Sequence, residues 1–253
     1  VAVTDGLTLV SDGARLAAHL ARPGISAGRP GRSGLVLCHG LPAGVGAAPT
    51  AGATFPELAD RVAADTGWFC LSFCFRGAGS SEGEFSPGGW VADLEAAVAA
   101  FRAEGVDSIW LAGFSTGGTI ALHVAGADPE IRGVAALAAP SDLSAWSSDP
   151  AYLLTLARDV GVVPATADPD LAVWAEEVRA LDPLGSAARI PPRPFFLAHG
   201  SDDDTVPLAD ARALADAAEG RCELHVIPMA GHRLRHDPRA IAILLGWLDR
   251  QSS

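Results

Sequence analysis

Three stretches of the chain carry residue types that can act on a carbonyl group. Gly113-Phe114-Ser115-Thr116-Gly117 holds a serine between glycines. Further along come Ser201-Asp202-Asp203-Asp204-Thr205-Val206-Pro207 and then Ala230-Gly231-His232-Arg233-Leu234-Arg235-His236. An aliphatic hydroxyl is a poor nucleophile near neutral pH unless an imidazole takes its proton and a carboxylate orients that imidazole. Serine, acid and histidine in this chain order are one of the arrangements that supply this, provided the serine stands on a sharp strand-to-helix turn. Residues 107–115, DSIWLAGFS, read as a strand, and residues 116–126, TGGTIALHVAG, as a helix. The glycines at 113 and 117 leave room for the tight turn between them. On residue type alone the acid is open among Asp202, Asp203 and Asp204, and the base between His232 and His236.

Other chemistries fit less well. The spacing His232-x-x-x-His236 lacks the glutamate that helical zinc-hydrolase motifs carry between their histidines. Arg76-Gly77-Ala78-Gly79-Ser80-Ser81-Glu82-Gly83 departs from the dinucleotide fingerprint because its third glycine is displaced, and it reads as a turn. All 18 basic residues are arginine, which excludes a Schiff-base amine, a Ser-Lys dyad and a lysine-bearing phosphate loop from this sequence.

The elements that must position these residues follow from periodicity. Leu7–Val10 and Leu16–Ala21 flank Ser11-Asp12-Gly13, an Asp-Gly hairpin signal that predicts an opening antiparallel pair. A Gly/Pro/Arg loop follows at 21–34. Short apolar runs at 35–38, 69–75, 109–112, 134–138, 195–198 and 224–227 predict buried parallel strands. Between them, apolar residues at helical spacing predict helices at 55–65, 90–104, 116–125, 208–218 and 237–250. The alternation predicts an α/β fold, a doubly wound, mostly parallel sheet with helices on both faces. Its acidic and histidine stretches then follow successive strands at one edge of the sheet.

The connection from 140 to 194 is too long for a simple crossover. Asp149-Pro150 and Asp168-Pro169 each pair a capping acid with a proline of a first helical turn, so the segment is expected to hold helices of its own. We read residues 1–253 as one domain with a small helical cap at about 141–190, over the sheet edge where open α/β folds bind ligands; the alternative is a decoration on the side of the domain. Trp146, Tyr152, Leu153, Leu156 and Trp174 in this segment could line an acyl pocket or pack within the cap.

Composition sets bounds on function. Forty-nine per cent hydrophobic and 19% charged residues suit a well-buried globular chain, and no apolar run is long enough to cross a bilayer. A net charge of -12 argues against nucleic-acid or anionic-membrane partners. The first residues, VAVTDGLTLV, lack the features of a secretory signal, which gives the expectation of a cytoplasmic protein. Cys38, Cys70, Cys74 and Cys222 lie in apolar strand-like runs without metal-ligand spacing and are expected to be free thiols.

The motifs together resemble the α/β-hydrolase superfamily nearly end to end: SDGARLAAHL, LVLCHGLPAG, FRGAGSSEG, GFSTGG, HGSDDDTVP and AGHR. Within it the chain is most similar to the esterase and serine-aminopeptidase-like set that includes small-ester and cinnamoyl esterases. The resemblance implies Ser115 as nucleophile, Asp203 as the acid, with Asp142 as a positional alternative, and His232 as general base. It implies the backbone N–H groups of Leu41 and Thr116 as oxyanion donors, and His39 and His199 as structural strand-end residues. Trp146, Tyr152 and Trp174 become candidate substrate contacts. The implied activity is cleavage of small carboxylic esters through an acyl-enzyme, with no cofactor. Alternatives are an aminopeptidase anchoring its substrate amine on Glu176-Glu177, a thioesterase or acyltransferase with the same triad, and a non-catalytic ligand receptor.

Overall fold

Leu35, Val36, Leu37 and Cys38 are all closed off from solvent, which requires helices on both faces of their strand and neighbours on both edges. The computed structural model, which describes residues 7, 9–24 and 32–251, provides both. In chain order the elements are β1 (Leu9–Ser11), β2 (Ala14–Leu16), β3 (Ala18–Ala21), β4 (Ser33–Cys38), α1 (Phe55–Thr66), β5 (Phe69–Phe73), α2 (Pro87–Ala103), β6 (Ser108–Phe114), α3 (Thr116–Ala127) and β7 (Gly133–Leu137). There follow α4 (Ser144–Ser148), α5 (Pro150–Val160), α6 (Leu171–Leu181), α7 (Pro183–Ala188), β8 (Phe195–Gly200), α8 (Leu208–Ala217), β9 (Glu223–Ile227) and α9 (Pro238–Arg250).

The main sheet has the order β3-β5-β4-β6-β7-β8-β9; β3 runs antiparallel to β5 and every other pairing is parallel. The alternation of side chains along a strand divides the core into two faces. Leu35, Leu37, Trp110, Ala112 and Phe114 meet α1 and α9 through Leu58, Val62, Leu244 and Trp247. Val36, Cys38, Ile109 and Leu111 pack in the other cluster with Leu94, Phe101, Ile120 and Leu214 from α2, α3 and α8. The ring of Trp110 sits 5.5 Å from that of Trp247, edge to face. Among the described residues no helix is long and apolar enough to cross a membrane. All four cysteines are free.

Local differences from the sequence expectations have local causes. The second strand of the opening pair, expected as one run from 16 to 21, is broken at Ala17. Its N–H donates to Ser81 Oγ and its carbonyl accepts from Cys74 N–H, so β2 pairs with β1 while β3 joins the main sheet. The hairpin turn itself uses Asp12 and Gly13, both with positive φ. α2 starts at Pro87 because Ser86 Oγ accepts from Gly89 N–H, three residues before the expected start at 90. α6 is capped by Asp170, whose carboxylate accepts from Ala172 and Val173 N–H, and not by Asp168. Asp182-Pro183, a further pair of the same kind, opens the short α7. Residues 1–6, 8 and 25–31, which include the chain start and part of the loop expected at 21–34, lie outside the described residues.

Between β7 and β8, α4 and α5 pack on α6, α6 also meets α2, and α7 lies against α3 and α8 in the helical layer. The turn after β5 is held by charge. Asp93 on α2 is fully buried and accepts from Arg76 Nε at 2.9 Å, Arg76 Nη2 at 2.7 Å and Arg76 N–H at 2.8 Å, while Nη2 also reaches Ser11 Oγ and Asp12. Ser81 Oγ donates to Cys74 O. Arg76 and Ser81 thus make structural bonds here. Stranding one member of a buried ion pair typically costs about 3–5 kcal/mol. Arg76→Met is expected to lower the unfolding free energy by that order in urea titrations, and Arg76→Met with Asp93→Leu is expected to recover part of the loss.

Candidate active site

Ser115 sits between the last residue of β6 and the first of α3 with φ 53° and ψ −130°, a left-handed backbone that an L-residue adopts only under constraint. The constraint is steric. A Cβ on Gly113 would strike the carbonyl of Gly117, a Cβ on Gly117 would strike that of His39, and one on Gly118 would come 2.9 Å from Ala139 Cβ. No side chain fits at these points, so α3 closes onto the ends of β4 and β6 and lifts Ser115 clear of both. Ser115 N–H donates to Leu137 O at 2.8 Å, tying the turn to β7.

The structure brings three of the expected residues together. His232 Nε2 lies 2.9 Å from Ser115 Oγ, and His232 Nδ1 lies 2.9 Å from Asp203 Oδ2. A carboxylate only accepts, so Nδ1 carries the ring proton and Nε2 offers its lone pair to the serine hydroxyl. The Asp203 side chain is fully buried and its charge is compensated by donors. Oδ1 accepts from the N–H groups of Thr205 at 3.0 Å and Val206 at 2.8 Å. His199 Nε2, which donates to Val206 O at 2.9 Å, lies 3.2 Å from Oδ2. Asp202 accepts instead from Ser201 Oγ, Asp204 from Thr205 Oγ1 and Asp142 from Ser144 N–H.

Gly40 passes against the serine: a Cβ there would stand 2.7 Å from Phe114 O and 2.8 Å from Ser115 Cβ. The next residue, Leu41, lines the same cavity as Ser115, Thr116 and His232. As first residue of α3, Thr116 has an N–H with no carbonyl one turn back to accept it. The loop bearing Gly40 is fixed from behind by His39, buried among Phe55, Phe75 and Trp90. His39 Nδ1–H donates to Gly40 O at 2.7 Å, and Nε2 accepts from Phe75 N–H at 3.1 Å.

The cavity measures about 1100 Å³. Trp146 and Tyr152 line it, and Tyr152 is 53% exposed. Trp174 does not: it is 3% exposed and packs edge-on against Phe85 with ring centroids 5.2 Å apart. The face of α6 that carries it turns towards α2, and an aromatic at helical spacing serves a core as readily as a pocket. Leu153 is likewise wholly buried. Glu177 accepts from Gly88 N–H at 3.0 Å and Glu176 pairs with Arg179; neither lines the cavity. His236 lies in a short 3-10 turn and lines the cavity, and Asp237 rather than His236 caps α9. Met229 and Arg233 were not singled out in the sequence, and His199, expected as a structural strand-end residue, has a contact beyond that role. His199 touches the acid, and Met229 and Arg233 flank His232 on the cavity wall. The spacing His199-Gly200-x-x-Asp203 is the signal that ties His199 to the acid. Among the described residues no cluster of three or more His, Cys, Asp or Glu side chains is arranged to hold a metal ion.

A family model described as the alpha/beta hydrolase fold matches residues 35–182, more than half of the chain. No curated protein matches the chain. Among solved structures it is similar to Est1E from Butyrivibrio proteoclasticus with ferulic acid bound, at TM-score 0.69 and 19% identity over 96% of each chain. It is similar to the Pyrococcus furiosus esterase Pf2001, at TM-score 0.69 and 18% identity over 100% of this chain and 92% of that one. It is also similar to XC6422 from Xanthomonas campestris, a serine hydrolase without a lid, at TM-score 0.64 and 21% identity over 98% and 92%.

Burial pushes the His39 imidazole down from 6.5 to about 4. The unfolded chain therefore takes up a proton near pH 6.5 that the folded protein refuses until about pH 4, so this contribution to stability is complete above pH 6.5 and is lost as pH falls towards 4. The loss amounts to about 3 kcal/mol at pH 4. In an NMR titration the His39 ring resonances are expected to stay in place down to about pH 5 while denaturant midpoints fall. Titration of His39 near pH 6.5 would contradict this.

Proposed function

Since the chain belongs to the alpha/beta-hydrolase family, we propose that it is a serine hydrolase cleaving carboxylic esters through an acyl-enzyme. The observation that carries this reading is the unbroken relay from Ser115 Oγ through His232 to Asp203, with both links at 2.9 Å. Ser115 Oγ attacks the ester carbonyl carbon while its proton passes to His232 Nε2. The carbonyl oxygen takes up the negative charge and is held by the N–H groups of Leu41 and Thr116, each such donor lowering the barrier by about 3 kcal/mol. The dipole of α3 acts in the same direction at Thr116.

Collapse of the tetrahedral intermediate breaks the bond to the alcohol, which leaves with the proton from His232. Water then attacks the acyl-Ser115 carbonyl, gives a proton to His232, and the carboxylic acid is released as Ser115 Oγ regains that proton. Asp203 stays ionised, holds the Nδ1–H tautomer and stabilises the imidazolium that forms in each half. Residues 141–190 act as a cap, with α4 and α5 supplying the wall that faces Ser115. Trp146 and Tyr152 are substrate contacts in this reading.

The aminopeptidase alternative loses its support, because Glu177 is engaged by Gly88 and Glu176 by Arg179, outside the cavity. Thioester hydrolysis or acyl transfer would use the same groups. Esters of aryl acids belong in the substrate panel because Est1E, similar in fold, binds ferulic acid.

The test is a hydrolysis panel of short alkyl, aryl-acid, lactone, thioester and amino-acyl amide substrates. Ser115→Ala is expected to lower kcat by about 10⁴-fold or more, and Asp203→Asn by about 10³- to 10⁴-fold, with circular dichroism unchanged. Ester hydrolysis persisting in Ser115→Ala would remove the nucleophile assignment. Binding without turnover, indifferent to that substitution, would mark a receptor.

A further inference from the structure

We propose that α5 gauges acyl length in this cavity, so that the preferred ester joins a medium-length apolar acyl group to a polar alcohol. The proposal rests on the ester-cleaving reading above. His232 Nε2 must deliver a proton to the leaving oxygen, so the alcohol lies against the wall that carries His232. That wall is polar: the loop from Met229 to Arg239 presents Arg233, His236 and Asp237, and the start of α8 adds Asp210. Charges of both signs stand there, with Asp237 bound to Arg239 and Asp210 accepting from Ser141 N–H.

The acyl group is left with the other half of the cavity, which is apolar. Leu41, Leu143, Trp146, Leu156 and Val160 line it and pack together with one hydrophobic cluster of the core. Within that wall α5 contributes Tyr152, Leu156 and Val160 at intervals of four residues, which stacks them along one helix face. Their exposure falls in order along the helix: Tyr152 is 53% exposed, Leu156 partly buried and Val160 3% exposed. Eight residues of helix advance roughly 12 Å. The face therefore descends from the mouth to a closed floor, a depth that an acetyl group fills only in small part.

The floor is anchored. Val160 is the last residue of α5, and Gly161 ends the helix with φ 91°. Gly46 N–H donates to Asp159 O at 2.7 Å, and a Cβ on Gly161 would rest 3.5 Å from Ala48 Cβ. The loop that follows Leu41 is thus tied to the deep end of α5, which holds the distance between the oxyanion donor and the floor.

The experiment measures kcat/KM for p-nitrophenyl esters from acetyl to dodecanoyl. It is paired with calorimetric binding of straight-chain methyl esters to Ser115→Ala, which cannot turn them over. Both quantities are expected to rise by up to about fourfold per methylene until the floor is reached, then stop rising. Leu156→Trp is expected to bring that limit to shorter chains and to lower the octanoyl-to-acetyl ratio by about tenfold or more, and Val160→Ala to move it to longer chains. Leu184→Trp, at an exposed position on α7 outside the cavity, serves as control and is expected to keep the parent profile. A profile that Leu156→Trp leaves unmoved overturns the gauge while ester cleavage stands. Absence of turnover on every ester overturns ester cleavage, and the binding series with Ser115→Ala and Leu156→Trp then decides the gauge by itself.

Discussion

The contact between the Cα of Gly117 and the carbonyl of His39 is closer than any side chain permits, and the geometry of the site descends from it. It seats the first turn of α3 on the end of β4. With Gly113 equally close to Gly117, the chain between them has one way to turn, and Ser115 is held at a φ of 53°. The same carbonyl belongs to the residue whose ring fixes the Gly40–Leu41 backbone from behind. Ser115 and the Gly40–Leu41 backbone are therefore positioned by one packed joint and not by two independent loops, which is the kind of preorganisation that the proposed acyl transfer would exploit.

Charge at the site is buried only where donors meet it. The Asp203 carboxylate has no exposure, yet both its oxygens are faced by N–H groups, two of them from Thr205 and Val206 in its own turn. The acid is thus set by local backbone before His232 reaches it. His39 solves the converse problem by being kept neutral, with one nitrogen donating and the other accepting. Both devices avoid the several kcal/mol that an unsatisfied buried polar group costs.

Much of this was legible in the sequence because the signals were local. Apolar runs of strand length marked the core strands to within a few residues, and glycine placement marked the turn at Ser115. Asp149-Pro150 and Gly161 bounded α5. What the sequence left open depended on direction. Trp146 and Trp174 are alike in type and in helical setting, but α6 turns its tryptophan to Phe85 while α4 turns its own to the cavity. No periodicity distinguishes these. Three adjacent acids at 202–204 could not be ranked by residue type, since only the turn decides which carboxylate points inward. The break at Ala17 depended on Ser81, sixty-four positions away.

The edge position of β9 has a consequence for durability. Serine and acid are seated on strands with neighbours on both sides, whereas the imidazole hangs between the outermost strand of the sheet and the final helix. Loosening of that margin would part His232 from Ser115 and Asp203 while the strands that carry those two keep their neighbours. On the proposed reading, turnover is then the property of this protein most sensitive to anything that works that border loose.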